Sequence, residues 1–261
     1  MTNYSWMRLF SADGLKSRRT WLWPLAVLGP LGVLGLTALN YILRYEYLMG
    51  LDDDVWKTYY LQCFTLAVFV MQFGITLLAS LLAGQEHQAG GWKLVLTLPV
   101  ERVWVYLSKF FWLMVLMAFA VFLLTVGFVG LGVGLGLGRL GGSPPWSYVM
   151  GIGIFPFFAS IPVMVFQWWL SLRVEHQAVP TAIGIGCASV AVFLVQSPVT
   201  SWLPWAYPFL VMPLPADPMM APEKWIPVSL MVGIIMLLVG CADLVRTSGE
   251  RGSGHGHATV Q

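Results

Sequence analysis

Six stretches of the chain are almost free of charge, and polar or turn-forming residues separate them. They run Trp21–Leu43, Tyr59–Ala83, Val105–Leu131, Ser147–Leu172, Ala178–Val195 and Ile226–Val245. About 20 mostly apolar residues in a helix cross the ~30 Å hydrocarbon layer. Each stretch reaches that range, although the fifth is short. The runs are continuous rather than alternating, so they predict helices and not barrel strands. The expected fold class is therefore an all-α polytopic membrane protein with six transmembrane helices over residues 21–245.

Charge sets the expected orientation. Arg8, Lys16, Arg18 and Arg19 precede the first stretch, as in a signal sequence. That stretch is too long for a cleaved signal and no small-x-small site follows, which reads as an uncleaved anchor. With the N-terminus inside, ten of the 14 Lys and Arg fall in inner segments. Arg44, Lys57, Arg139 and Lys224 fall outside, together with Asp52, Asp53 and Asp54. The positive-inside bias thus puts both termini in the cytoplasm.

The connecting segments add detail. Residues 1–20 carry Trp6, Leu9, Phe10 and Leu15 among basic residues, the pattern of an amphipathic helix lying in the inner interface. Residues 196–225 hold seven prolines together with Trp202, Trp205, Tyr207, Phe209 and Leu210. A solvated loop does not carry such residues, so an outer re-entrant segment covered by protein is expected. The tail, residues 246–261, reads as disordered and cytoplasmic. Gly130, Gly132, Gly134, Gly136 and Gly138 lack the strand and the Gly-x-Gly-x-x-Gly spacing of a nucleotide loop. Close helix packing, or a bend, is the expectation for them.

Composition agrees. Hydrophobic residues make up 58% of the 261 and charged residues 10%, against about 25% charged in soluble proteins. This excludes a soluble enzyme, a nucleic-acid binder and a disordered chain. The net charge of +2 gives no reason to expect a nucleic-acid partner. Cys63, Cys187 and Cys241 lie in apolar stretches and read as buried small residues.

The chemistry that the stretches lack is equally informative. No His-Glu-x-x-His, Gly-x-Ser-x-Gly or intramembrane Asp pair is present, so no catalytic residue and no metal site is expected. Ionisable groups near the midplane, which gradient-driven carriers use, are missing too. The interiors offer Asn40, Gln62, Gln72, Gln167 and hydroxyls. Asn40, Gln72 and Gln167 are candidates for a substrate path, and bonding across helices is the plainer reading for them. Lys109 and Asp243 sit near inner ends, from which they can snorkel. The chain holds no Walker loop either, so any energy for transport arrives from another subunit.

That points to the cytoplasmic loop of residues 84–104, which joins the second and third stretches. Trp92, Val95, Leu96 and Pro99 recur at helical spacing beside Glu86, His87 and Lys93. A short amphipathic helix fits, either anchored in lipid or docked on a partner. The loop resembles that of permease subunits of type-2 ABC exporters, particularly the lantibiotic-immunity and multidrug branch. There a Glu is followed by Gly-Thr-Trp-Lys, leucines, Leu-Pro-Val, then Tyr and Lys entering the next span. Here Glu86, Gly91, Trp92, Lys93, Leu96, Leu98, Pro99, Val100, Tyr106 and Lys109 match, with Gly91 in the place of the family's Thr. The stretch Gln167–Gly186 is similar to the family's Leu-Ser-Leu-Arg connection, and the Asp243–Arg246 ending matches more weakly.

The resemblance implies a permease in the bacterial inner membrane, paired with a second permease, either an identical copy or a related six-span chain. It also implies two ABC ATPase subunits, which bring ATP and magnesium, and no cofactor in this chain. Glu86, Gly91, Trp92, Lys93, Leu96 and Pro99 become ATPase-coupling residues. Trp92 and Leu96 would fill an apolar groove, Glu86 and Lys93 would fix register, and Pro99 would end the helix. An amphipathic or apolar substrate, such as an antimicrobial peptide or a drug-like natural product, would leave outward. A secondary carrier or channel, or a non-transporting assembly factor, is the alternative.

Overall fold

The computed structural model describes residues 21–50, 54–88, 102–213 and 219–253. These residues form helices joined by turns. In chain order they are α1 (Leu22–Met49), α2 (Val55–Gln88), α3 (Arg102–Gly134), α4 (Leu137–Leu140), α5 (Trp146–Ile152), α6 (Ile154–Ala159), α7 (Ile161–Arg173), α8 (Ala178–Leu194), α9 (Tyr207–Leu210) and α10 (Pro222–Ser253). The expected interfacial helix of residues 1–20 lies outside the described residues.

Four helices, α1, α2, α3 and α10, are long and apolar enough to cross a membrane alone. The expected fourth span is a bent pair rather than one rod: α5–α6 and α7 meet at 43°. Its break has a chemical cause. The bend falls at Ser160, between α6 and α7; Gly153, at φ −135° and ψ −56°, separates α5 from α6 within the first arm. Pro162 supplies no N–H to the Phe158 carbonyl. Ser229 Oγ on α10, which donates to the Ile226 carbonyl at 2.8 Å, shares its proton with the Phe158 carbonyl at 3.3 Å, and Ser160 Oγ donates to the Pro156 carbonyl at 2.7 Å. The fifth apolar helix, α8, has 17 residues, about 26 Å at 1.5 Å per residue, just under the hydrocarbon thickness. Length and composition therefore support four spans, or five with the bent pair.

Several boundaries also shift. Helical hydrogen bonding outlasts the apolar run, so α1 continues through Tyr45 and Tyr47 to Met49, with a kink at Arg44. Helix α2 takes in Gly84–Gln88 and α3 starts at Arg102, which shortens the expected 84–104 loop at both ends. Helix α10 starts at Pro222 and runs to Ser253. The first part of the expected disordered tail is thus helical; no proline interrupts it, and Glu250 and Arg251 are good helix formers.

Helix α2 is the centre of the bundle: 61% of its apolar window is buried, against 28% for α1, 39% for α3 and 17% for α10. It packs on α1, α3, α7 and α8. The end of the bundle at which α2 finishes and α3 begins is the connector end, and the opposite one is the aromatic end. At the latter, Trp56, Tyr59, Tyr60 and Phe128 are buried. Tyr59 stacks on Phe128 at 4.5 Å and Tyr60 on Tyr148 at 4.9 Å. Tyr59 Oη donates to the Phe128 carbonyl, and Trp56 Nε1 to that of Gly142. The glycine run is explained in part. A Cβ at Gly132 would stand 2.6 Å from the Trp56 ring and one at Gly141 3.0 Å from it, whereas Gly130, Gly134 and Gly138 face open space.

Candidate functional site

The connector end brings three helices together over one polar strip. On α2, Gln72, Thr76, Ser80 and Gly84 recur every four residues, which aligns them on one face. All four are buried. Gln167 and Ser171 of α7 meet this face, as do Thr181 and Gly184 of α8. Thr181 Oγ1 donates to Ser80 Oγ at 2.9 Å, and Ser80 and Ser171 share a hydrogen bond at 3.4 Å. Gln167 Nε2 donates to the Pro180 carbonyl at 2.8 Å. Gly184 allows the close approach here: a Cβ would come within 2.6 Å of both Thr76 Oγ1 and Gln167 Oε1.

The seam holds more acceptors than the protein satisfies. Among the described residues, the Oε1 atoms of Gln72 and Gln167 are buried without a hydrogen-bond partner, and so are both terminal atoms of Gln177. A buried polar atom left unpaired costs about 1–3 kcal/mol. Tyr41 Oη and Tyr60 Oη at the aromatic end, and Trp23 Nε1, Tyr106 Oη and Trp168 Nε1, are in the same state among the described residues, so the strip is set apart by its carboxamides and hydroxyls rather than by unpaired atoms.

A chamber of about 530 Å³ opens at the connector end of the seam. Trp21, Leu22, Leu77 and Leu81 line it together with Ser80, Gln85, Gln177 and Thr181.

The sequence-derived candidates divide into three groups. Gln72 and Gln167 lie on the seam, bonded across helices as the plainer reading has it. Gln72 Nε2 donates to the Trp205 carbonyl at 3.2 Å, so residues 196–213 reach the middle of α2. Phe209 packs edge-on against Phe69 at 5.3 Å. Asn40 stands apart and half-buried on α1, beside the Tyr41–Tyr59 contact of the aromatic end. Of the coupling residues, Glu86 falls in the last turn of α2. Gly91, Trp92, Lys93, Leu96 and Pro99 lie outside the described residues. Tyr106 and Lys109, also part of the motif, are buried in the first turns of α3.

Asp243 is clasped rather than snorkelling freely. It pairs with Arg173, whose Nε donates to it at 2.9 Å, and it accepts from Trp169 Nε1 at 2.9 Å. Tyr106 lies against Gly240 in the same place: a Cβ there would meet Tyr106 Oη at 2.8 Å. Helices α3, α7 and α10 are thereby joined at the connector end.

Sequence reasoning singled out Gln72 and Gln167 but missed Thr76, Ser80, Gln177 and Thr181. The four-residue spacing within an otherwise apolar span was the available signal for the two on α2. The Arg173–Asp243 pair, 70 residues apart, left no such signal.

Comparison with known proteins gives one finding. The family model described as "ABC-2 family transporter protein" matches residues 9–194, more than half of the chain. No curated protein matches it.

Proposed function

The chain belongs to the ABC-2 family of transporter proteins, and from that premise we propose that it is the permease subunit of an ATP-driven exporter. The match and the apolar helices make it a membrane protein of the ABC-2 permease type. Beyond that, the reading is ours. Six spans place both termini and the connector in the cytoplasm of a bacterium. Two permeases pair, and two ATPase subunits dock on the connector. ATP binding draws the ATPases together, and the connectors move the helices they join. The chain itself carries out no hydrolysis; ATP and magnesium belong to the partner.

The observation that carries this reading is the length of the two helices around the connector. Helix α2 has 34 residues and α3 has 33, about 50 Å each. That exceeds the ~40–45 Å of a whole bilayer with its headgroups. Glu86, in the last turn of α2, is thereby set beyond the hydrocarbon. The connector then hangs from two stiff rods, both packed on the seam or the clasp. Trp92 and Leu96 supply the apolar contact to an ATPase groove, Glu86 and Lys93 fix its register, and Gly91 and Pro99 bound the docking helix. The substrate is amphipathic or apolar, since the bundle offers neutral hydrogen-bonding groups and few charges.

Co-expression with an ABC ATPase encoded beside the gene tests it. The expected result is a purified complex that hydrolyses ATP. Trp92→Ala should weaken docking by about 2 kcal/mol, as at interface hot spots, and Glu86→Ala should uncouple hydrolysis from export. Full export by both variants would remove the docking role. A Leu94→Cys thiol should react with an impermeant reagent in inverted vesicles and not on intact cells; the reverse pattern overturns the reading.

A further inference from the structure

The buried seam is laid out as a repeat. Gln72, Thr76, Ser80 and Gly84 on α2 are each four residues apart, and Gln167 and Ser171 on α7 have the same spacing. Ser80 meets Ser171, and Thr76 and Gln167 meet around Gly184. Helices α2 and α7 therefore run in the same direction, matched turn for turn, and α8 returns beside them. Gln177, in the turn between α7 and α8, stands one step further on, with its stem against Gly84.

Each unpaired amide of the seam is one step away from a match. Among the described residues, Gln72 Oε1, Gln167 Oε1 and both terminal atoms of Gln177 have no partner. Other buried groups share that state, and the seam differs from them in its spacing. Moving α7 and α8 together by one turn toward the aromatic end brings Gln167 level with Gln72, Ser171 with Thr76, and Gln177 with Ser80. Two carboxamides face to face satisfy each other, since each both donates and accepts. The Gln167–Pro180 bond travels with the pair, and the Gln167 amide keeps a second hydrogen for Gln72. The sliding face of α8 is smooth, because its buried residues are Pro180, Gly184, Ala188 and Ala191. Helix α7 is bounded by the 43° bend at one end and by the turn of residues 174–177 at the other, so it is not part of a longer straight rod.

We propose that the α7–α8 pair is a one-turn ratchet on α2, with a second register in which Gln167 faces Gln72 and Gln177 faces Ser80. Packed helices change register in whole turns, because intermediate positions set ridge on ridge. The slide gives up the Gln72–Trp205 bond and the contact of Trp168 with Tyr106 at 6.1 Å, and these hold the first register. The ratchet is a property of the chain itself; its use in export rests on the transport reading above.

The test measures distances between pairs of spin labels on the full chain in lipid nanodiscs, without any ATPase. Cys63, Cys187 and Cys241 are first replaced by Ala, and labelled chain is diluted with unlabelled chain so that only distances within one chain are read. The labels go on exposed positions of α2 and α8: Leu61, Leu81, Val179 and Phe193. Leu81→Cys with Phe193→Cys should give two distances, the second longer by about 5 Å, one helical turn. Leu61→Cys with Val179→Cys should also give two, the second shorter by about the same amount. An outward swing or tilt of α8 does not produce equal and opposite changes. Gln72→Leu should deplete the shifted distance in both pairs about fivefold, the worth of one neutral hydrogen bond. Gln167→Leu should do the same, and either variant decides the matter if the other does not fold. A single distance in both pairs, or two whose proportions ignore these variants, overturns the ratchet. Adding the ATPase and ATP then reads its use. Proportions that change with nucleotide tie the ratchet to export, and proportions that stay fixed detach it. Failure to form an ATPase complex would strike the transport reading and leave the ratchet standing.

Discussion

The two ends of α2 solve the same problem by different means. At the aromatic end, Trp56, Tyr59 and Tyr60 fit against Phe128, Tyr148 and a set of glycines. At the connector end, Thr76, Ser80 and Gly84 face glutamines and hydroxyls that are only partly paired. Lipid tails are as apolar as leucine, so hydrophobicity alone does not hold helices together in a bilayer. Shape complementarity does so at the first end, where it leaves little freedom. Hydrogen bonds between side chains of different helices mark the second, while unpaired groups remain at both among the described residues, Tyr41 and Tyr60 Oη at the first and the Gln72 and Gln167 Oε1 atoms at the second.

The largest effect that would break the contrast comes from Trp56. Trp56→Ala removes the ring that fills the space beside Gly132 and Gly141, and should cost about 3–5 kcal/mol. Thermal unfolding of the detergent-solubilised protein would show it. A smaller effect sharpens the comparison within one helix. Gly132→Ala should cost about 1–3 kcal/mol through overpacking. Gly130→Ala, facing open space, should be neutral or stabilising by up to about 1 kcal/mol. Equal melting temperatures for those two variants would refute the dovetail.

The clasp comes next. Asp243→Asn should cost about 1 kcal/mol, because the pair is partly exposed. The exchange Arg173→Asp with Asp243→Arg should recover most of that loss in the same melting assay. Last come the seam glutamines. Gln72→Leu and Gln167→Leu should each change stability by only about 0.6 kcal/mol, the average for hydrogen bonds between helices in a membrane. A loss several times larger would make the seam a structural element like the aromatic end.

What the sequence discloses follows from how local each signal is. An apolar run reports itself, so five of the six expected stretches each hold one helix with only its ends displaced, and the fourth holds a bent and broken one. Those ends moved because hydrogen bonding continues past the last apolar side chain, as at Tyr47 and Gln88. The break at Gly153 and Ser160 was hidden inside a run that reads as one span, although Pro156 and Pro162 stand there. Gln72 and Gln167 drew notice as polar residues in apolar surroundings. Their roles depend on the Trp205 and Pro180 carbonyls, which are distant or on another helix and carry no side-chain signature. Gln177 falls in what reads as an ordinary loop, and only the folded chain brings it against Gly84.

The serine on α10 that serves the Phe158 carbonyl has a mechanical corollary. A backbone oxygen released by proline and stranded in hydrocarbon is worth several kcal/mol. If α6 swung away while α10 stayed, that oxygen would lose its only recorded side-chain donor among the described residues, a hydroxyl it shares with the Ile226 carbonyl. Helix α6 and its neighbour are therefore favoured to swing together.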